Sequence, residues 1–353
     1  MAYTNIDDPS AHFQIALYTG NANYNTITND GNSNLGPDLI WGKCRSTSKL
    51  NFLYDTTRGV EKRLESDNTG AEDTGTNGIL NFYTDGFRLG SGNTENDNGE
   101  TYVAWQWKAN GGSTSSNTAG TITSTVQANT DAGFSIVTWT GNSSTATIGH
   151  GLGVRPEVII LKARGTTSDW PAYHKDATNG QQPYNVITYL NLTDATGIAS
   201  NSWGTVDTDI TSSVFYLKYW INYNTTNVAY CFAEKQGYSK FGKYVGNSNT
   251  DGAFVYTGFK PAFIMLKQST ANGNGWFIID SKRDPFNSAT SKYLRPDETG
   301  AEGTTSKILD LLSNGFKLRN SDSAVNGSGH KYIYMAFAEN PFVTSTGVPA
   351  CAR

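Results

Sequence analysis

Charge is what this chain has least of: 16% of its 353 residues are Asp, Glu, Lys or Arg, and the formal net charge is −4. Lys and Arg are nowhere clustered, so the basic footprint that nucleic acid requires is missing and that class of partner is excluded. Long apolar runs are absent too. The best, Val158 to Leu161, ends at Lys162, far short of the ~20 residues a membrane-spanning helix needs. Met1 to Pro9 has no basic region leading into an apolar stretch, and a secretory signal of the usual type is not expected. Cys44, Cys231 and Cys351 are far apart, with no CxxC and no His at ligand spacing, which argues against a disulfide framework or a zinc site and for buried thiols. None of the four histidines (His12, His150, His174, His330) sits in a triad motif. The Gly-rich turns lack the Gly-Lys-Ser/Thr ending that cradles phosphate.

Glycine (37 residues) and aromatics (12%) are abundant. Disordered chains pair high charge with few aromatics, the reverse of this composition. Short strands rich in Tyr, Trp, Phe and Thr, joined by Gly/Asn turns, account for it.

Internal repetition sets the organisation. Phe13-Gln14-Ile15-Ala16-Leu17-Tyr18-Thr19-Gly20-Asn21 resembles Phe134-Ser135-Ile136-Val137-Thr138-Trp139-Thr140-Gly141-Asn142, and Phe254-Val255-Tyr256-Thr257-Gly258 reads as a third copy. A Pro leading into an apolar strand, with Lys six residues on, recurs as Pro37/Lys43, Pro156/Lys162 and Pro261/Lys267. Closing strands at Tyr102, Asn227 and Tyr332 alternate at period two. The expected fold is all-β: three tandem β-sandwich, jelly-roll-like units, over residues 1–112, 113–240 (with a linker) and 241–353. Asn110 to Gly120 reads as a flexible linker, and Ser306 to Ser313 as a short helical turn, the only helix-like spacing in the chain.

The recurrent carboxylates are Asp55/Asp280, each three residues before Arg58/Arg283, and the strings ending at Glu72 and Glu302. Recurrence at repeat period points to folding roles, and Asp-x-x-Arg is read as bridging a turn. The oxygen-rich run Asn93 to Glu100 lacks EF-hand spacing and reads as a polar hairpin loop. No catalytic, metal or cofactor site is expected. Trp41, Trp105, Trp107, Trp139 and Trp276 lie in repeat strands and are assigned to the core. Trp203, Tyr216, Tyr219, Trp220 and Tyr223 belong to a middle-unit segment without close counterparts, where a solvent-facing aromatic cluster would stack on sugar rings. An extra hairpin packed on its neighbour is the other reading of that segment.

Several segments together resemble a group of virion proteins from tailed phages of marine bacteria and cyanobacteria. They are Asp7-Asp8-Pro9-Ser10 with Phe13, Tyr18-Thr19-Gly20-Asn21, Gly149 to Pro156, and Ala233-Glu234 before Gly237 to Gly242. The resemblance covers about Asp7 to Phe342. It implies a non-enzymatic virion surface protein of tail-fibre or spike type, located on the tail or capsid surface and made in the host cytoplasm, with no catalytic residues to carry over. Expected partners are other virion proteins, copies of itself as a homotrimer, and a host surface glycan or receptor. Heptads and a shaft repeat are absent, which leaves a capsid decoration or tail-assembly role as the alternative, and a glycan depolymerase as a minor one. Low charge suits recognition in seawater, where at ~0.7 M salt the Debye length falls below ~4 Å.

Overall fold

The computed structural model describes residues 3–285 and 287–349, nearly all of them strands and turns. One four-strand order occurs three times. In the first part, β1 (Phe13–Thr19) and β2 (Leu39–Cys44) flank β4 (Thr101–Trp107), and β3 (Phe52–Asp55) pairs with β2. In the second, β6 (Phe134–Thr140) and β7 (Val158–Ala163) flank β9 (Thr226–Phe232), and β8 (Pro171–His174) follows β7. In the third, β10 (Ser239–Val245) and β11 (Phe259–Gln268) flank β13 (Lys331–Pro341), and β12 (Phe277–Asp280) follows β11. Among the described residues only the middle sheet is extended on the outer edge of its first strand, by β5 (Ser124–Asn129) and Ser115–Asn117.

Each inner sheet carries a smaller outer sheet: 25–27 with 87–89 and 79–82, 146–149 with 214–217, and 254–256 with 315–318 and 309–312. Alternation sends Ile40, Tyr54, Tyr102 and Ala104 outward to meet Ile27, Ile79, Phe87 and Leu89 in one sandwich core, and separate cores of the same kind fill the other two sandwiches. The opposite faces of all three inner sheets meet in a single central core. Because these strands are covered on both sides, β2, β7 and β11 are buried along their whole length, and their sequences are largely apolar rather than alternating, each interrupted near its end by a Lys.

The three sheets thus surround an axis. Trp107, Phe232 and Phe337, at equivalent places in β4, β9 and β13, form a triangle with ring centroids 6.2, 5.8 and 5.5 Å apart. Each fully buried ring of this size contributes roughly 1.5–3 kcal/mol through burial. The joints between units are cyclic as well. Lys162 Nζ donates to Thr69 O (3.0 Å), Lys267 Nζ to Leu192 O (2.9 Å) and Lys43 Nζ to Glu298 O (3.0 Å), so the last unit closes back on the first. All three lysines are fully buried, and burial pushes each down to about 8.

Several expectations change. Phe254–Tyr256 does not take the place of β1; it lies in the outer sheet against Gly315–Leu318. The third copy of Tyr18-Thr19-Gly20-Asn21 is Tyr244-Val245-Gly246-Asn247. Tyr244 stacks on Tyr332 at 4.8 Å as Tyr18 stacks on Tyr102 at 5.0 Å. In all three copies the Gly has no room for a side chain: a Cβ on Gly20, Gly141 or Gly246 would fall 2.1–2.2 Å from a backbone carbonyl oxygen. The following Asn accepts from a buried amide, Asn96, Asn222 or Asn326. The third inner sheet therefore opens at Ser239. Ser306 to Ser313 is not a helical turn. Leu309–Leu312 is a strand paired antiparallel with Gly315–Leu318, because its leucines are needed in the outer-sheet core. The segment 110–120 is not a free linker either: the Asp38 carboxylate accepts from the amides of Ala109, Gly111 and Gly112 at 2.8–2.9 Å, and Ser115–Asn117 pairs with β5.

Candidate functional site

The aromatic segment of the middle unit does not form one solvent-facing cluster. Trp203 is 0% exposed and packs 5.9 Å from Tyr173 in the sandwich core. Large and apolar, it fills space beneath a loop that the other units lack. Trp220 and Tyr223 are partly buried against the same core, Tyr216 is intermediate in Phe215's strand, and only Tyr219, 54% exposed, faces water. The five tryptophans assigned to the core are all buried there.

The recurrent carboxylates lie at the joints. Asp55 accepts from the Arg58 amide (2.8 Å) and Arg58 Nε (2.5 Å), which bridges the turn, and from the Tyr230 hydroxyl of the next unit (2.8 Å). Glu72 accepts from Arg58 Nη1 (2.9 Å) and from Arg164 of the next unit through two bonds of 2.8 Å. The arrangement repeats where the third unit meets the first: Asp280 takes Arg283 and Trp105 Nε1 (3.0 Å), and Glu302 takes Arg283 and Arg45. Burial raises Glu72 and Glu302, but the arginines outweigh it and both are held below the usual carboxylate range. The third joint has no Arg–carboxylate pair among the described residues; lysines take that part, with Glu234 joining Lys175 to Lys240 and Asp176 meeting Lys243. His174 stands in place of the aspartates, opposite Met335 rather than Trp105 or Tyr230, and shares a hydrogen bond with Tyr334 O at 3.0 Å. Burial holds this imidazole down at about 4.

Asn93 to Glu100 is not a plain hairpin loop: it opens with a single helical turn, Asn93–Asn96, and its acids are already partnered, Glu95 with Tyr54 and Arg63, Asp97 with Lys49 and Glu100 with the Ser46 hydroxyl. No group of three His, Cys, Asp or Glu suited to a metal ion occurs among the described residues, and no helix there is long and apolar enough to cross a membrane. Cys44 and Cys231 are buried free thiols, as the sequence suggested; Cys351 lies outside the described residues.

An open groove of ≈ 630 Å³ lies where the first and third units meet. Phe13, Gln14 and Ile15 of β1 and the turn at Asp30 and Gly31 form one side; Ala262, Ser281, Lys282 and Asn340 form the other. The Lys282 ammonium meets both Asp30 oxygens (2.8 and 2.7 Å) at its exposed rim. None of these residues stood out in the sequence as a candidate site; Phe13, Gln14 and Ile15 were marked only as the start of a repeat. The available signal was a difference between copies: the middle unit carries a strand-forming segment ahead of Phe134, whereas residues 3–12 ahead of Phe13 contain no strand.

A search of curated proteins found no match, nor did a search of solved structures. The family model that matches is DUF7483, a domain of unknown function, over residues 8–341, a span that includes all three inner sheets and the groove. The chain therefore belongs to the DUF7483 family.

Proposed function

We propose that the chain is a non-enzymatic structural protein of a phage virion surface, held in place by other virion proteins. The observation that carries this reading is the closed ring: one polypeptide surrounds a pseudo-threefold axis, with its joints sealed by buried lysines and Arg–carboxylate networks. Such a body presents threefold-like surfaces without a homotrimer, which favours a seat on a capsid shell over a fibre. Its repeated carboxylates are neutralised by arginines, which supports a structural use for them and weighs against the pair of separated acids a depolymerase needs.

Host attachment through a tail-fibre or spike-like placement is the second reading. It draws support from Tyr219, whose exposed ring has the Lys218 ammonium 5.9 Å from its centroid and offers a face to a sugar.

Electron microscopy of purified particles labelled with antibody against this chain tests both readings. Label over the head supports the shell placement, and label at the tail tip supports attachment. Particles that lack the protein overturn both. New reducing ends from host polysaccharide would reinstate the depolymerase.

A further inference from the structure

Three equivalent sheet edges have three different fates. Lys108 N–H bonds His12 O and Ala233 N–H bonds Gly133 O, so antiparallel alternation turns the backbone groups of Phe13, Ile15 and Leu17 in β1, and of Phe134, Ile136 and Thr138 in β6, away from their own sheets. In β6 those groups are taken by Asn129, Gln127 and Thr125 of β5. In β10 the edge is closed: Ser239 is bridged to Lys235, the Phe241 amide donates to Glu234 Oε1 at 2.8 Å, and Lys243 places a charge next along it. In β1, among the described residues, no strand lies outside the edge and nothing takes the outward amides of Phe13, Ile15 and Leu17.

The groove runs beside this open edge, and its far wall corresponds to the wall that holds β5. Gln127 in β5 donates to Thr56 Oγ1 and Thr57 Oγ1 (2.9 Å each) and accepts from the Asn110 amide (3.0 Å). Counting from Asp280 and Phe337 as from Asp55 and Trp107, the counterparts are Ser281, Lys282 and Asn340, all of which line the groove. Ser281 N–H donates to Ala262 O just as Thr56 N–H donates to Asp38 O.

We propose that the groove is a strand-acceptor site. It takes an extended segment from another protein, added antiparallel to β1, with an amide side chain between small or apolar residues as in Val126-Gln127-Ala128. Main-chain bonds to the edge supply affinity, and the amide reaching Ser281 and Asn340 supplies selectivity. The occupant is a different protein, because this chain's own matching strand is held in the middle sheet by a five-pair ladder. The exposed Asp30–Lys282 pair at the rim is weakly held and can yield. The inference stands on the geometry alone and does not depend on the virion reading.

The test uses the full chain and a capped peptide, Ile122-Thr123-Ser124-Thr125-Val126-Gln127-Ala128-Asn129, followed by calorimetry and by amide NMR shifts. Saturable binding that moves the Phe13, Ile15 and Leu17 amides is expected, at least tenfold weaker for a scrambled peptide. Leu17→Pro removes one outward N–H from an exposed edge position and is expected to weaken binding at least tenfold while the melting temperature holds; Lys243→Pro on the closed edge is expected to leave binding unchanged. Shifts confined to Ile136 and Thr138, undiminished binding by folded Leu17→Pro, or no binding at millimolar peptide would overturn the proposal.

Discussion

The Tyr230 hydroxyl donates to Asp55 Oδ2 at 2.8 Å, joining two buried side chains 175 positions apart in the sequence. The bond crosses a joint between units, and Trp105 makes its counterpart with Asp280 at 3.0 Å. These contacts read out ring closure more directly than any within one sheet.

Tyr230→Phe keeps the ring and deletes only the donor. A hydrogen bond to a charged group contributes about 1.5–3 kcal/mol. Arg58 still satisfies the carboxylate, so a loss near the lower end, about 1.5 kcal/mol, is expected from the urea midpoint. No loss would mean that the joint is held by packing alone.

Arg58→Met leaves Asp55 buried with its main counter-charge gone and removes one partner of Glu72. Removing one member of a buried pair costs about 3–5 kcal/mol. Asp55→Asn combined with Arg58→Met is expected to recover part of that loss, since no bare carboxylate remains. Chemical denaturation of the three variants checks the order.

His174 gives a pH signature. Its folded value of about 4 lies below the 6.5 of an unfolded imidazole, so on acidification the unfolded chain binds the proton first. Its contribution is complete above pH 6.5 and is lost as pH falls toward 4, a change on the order of 3 kcal/mol. His150, also near 4, adds in the same sense, whereas Glu157, raised to about 7 chiefly by burial, and Asp297, raised to about 6 for the same cause, act oppositely. The readout is therefore the difference between wild type and His174→Gln, which is expected to narrow between pH 6.5 and 4.

Asp38→Asn tests the segment that resembles a linker. The carboxylate collects three amides and the Thr56 hydroxyl, and Asn can replace only part of that set. A loss of about 2 kcal/mol is expected, with faster amide exchange at 109, 111 and 112. Unchanged exchange there would contradict the assignment.

The five aromatics of the middle unit show where sequence patterning stops. A departure from the repeat was visible, but Trp203 and Tyr219 are chemically similar, and only the loop packed over Tyr173 decides that one is core and the other surface. The Phe254 segment misled for a related reason: Phe-x-Tyr suits an inner or an outer strand equally, and its pairing with Gly315–Leu318 settles which. The Asp-x-x-Arg turns were legible because both partners sit within one turn. Their second partners, Tyr230 and Trp105, were not, because nothing local links them to Asp55 and Asp280.

By itself the sequence determined the all-β class, the strand alternation, the buried thiols and the recurrence of Pro-to-Lys strands, since each depends on period-two patterning or turn chemistry within a few residues. Only the tertiary structure decided that the inner sheets surround an axis, that the three lysines seal neighbouring units, and that one of three equivalent edges is open beside a groove. Those features arise from contacts between residues far apart along the chain, where side-chain type constrains burial but not the partner.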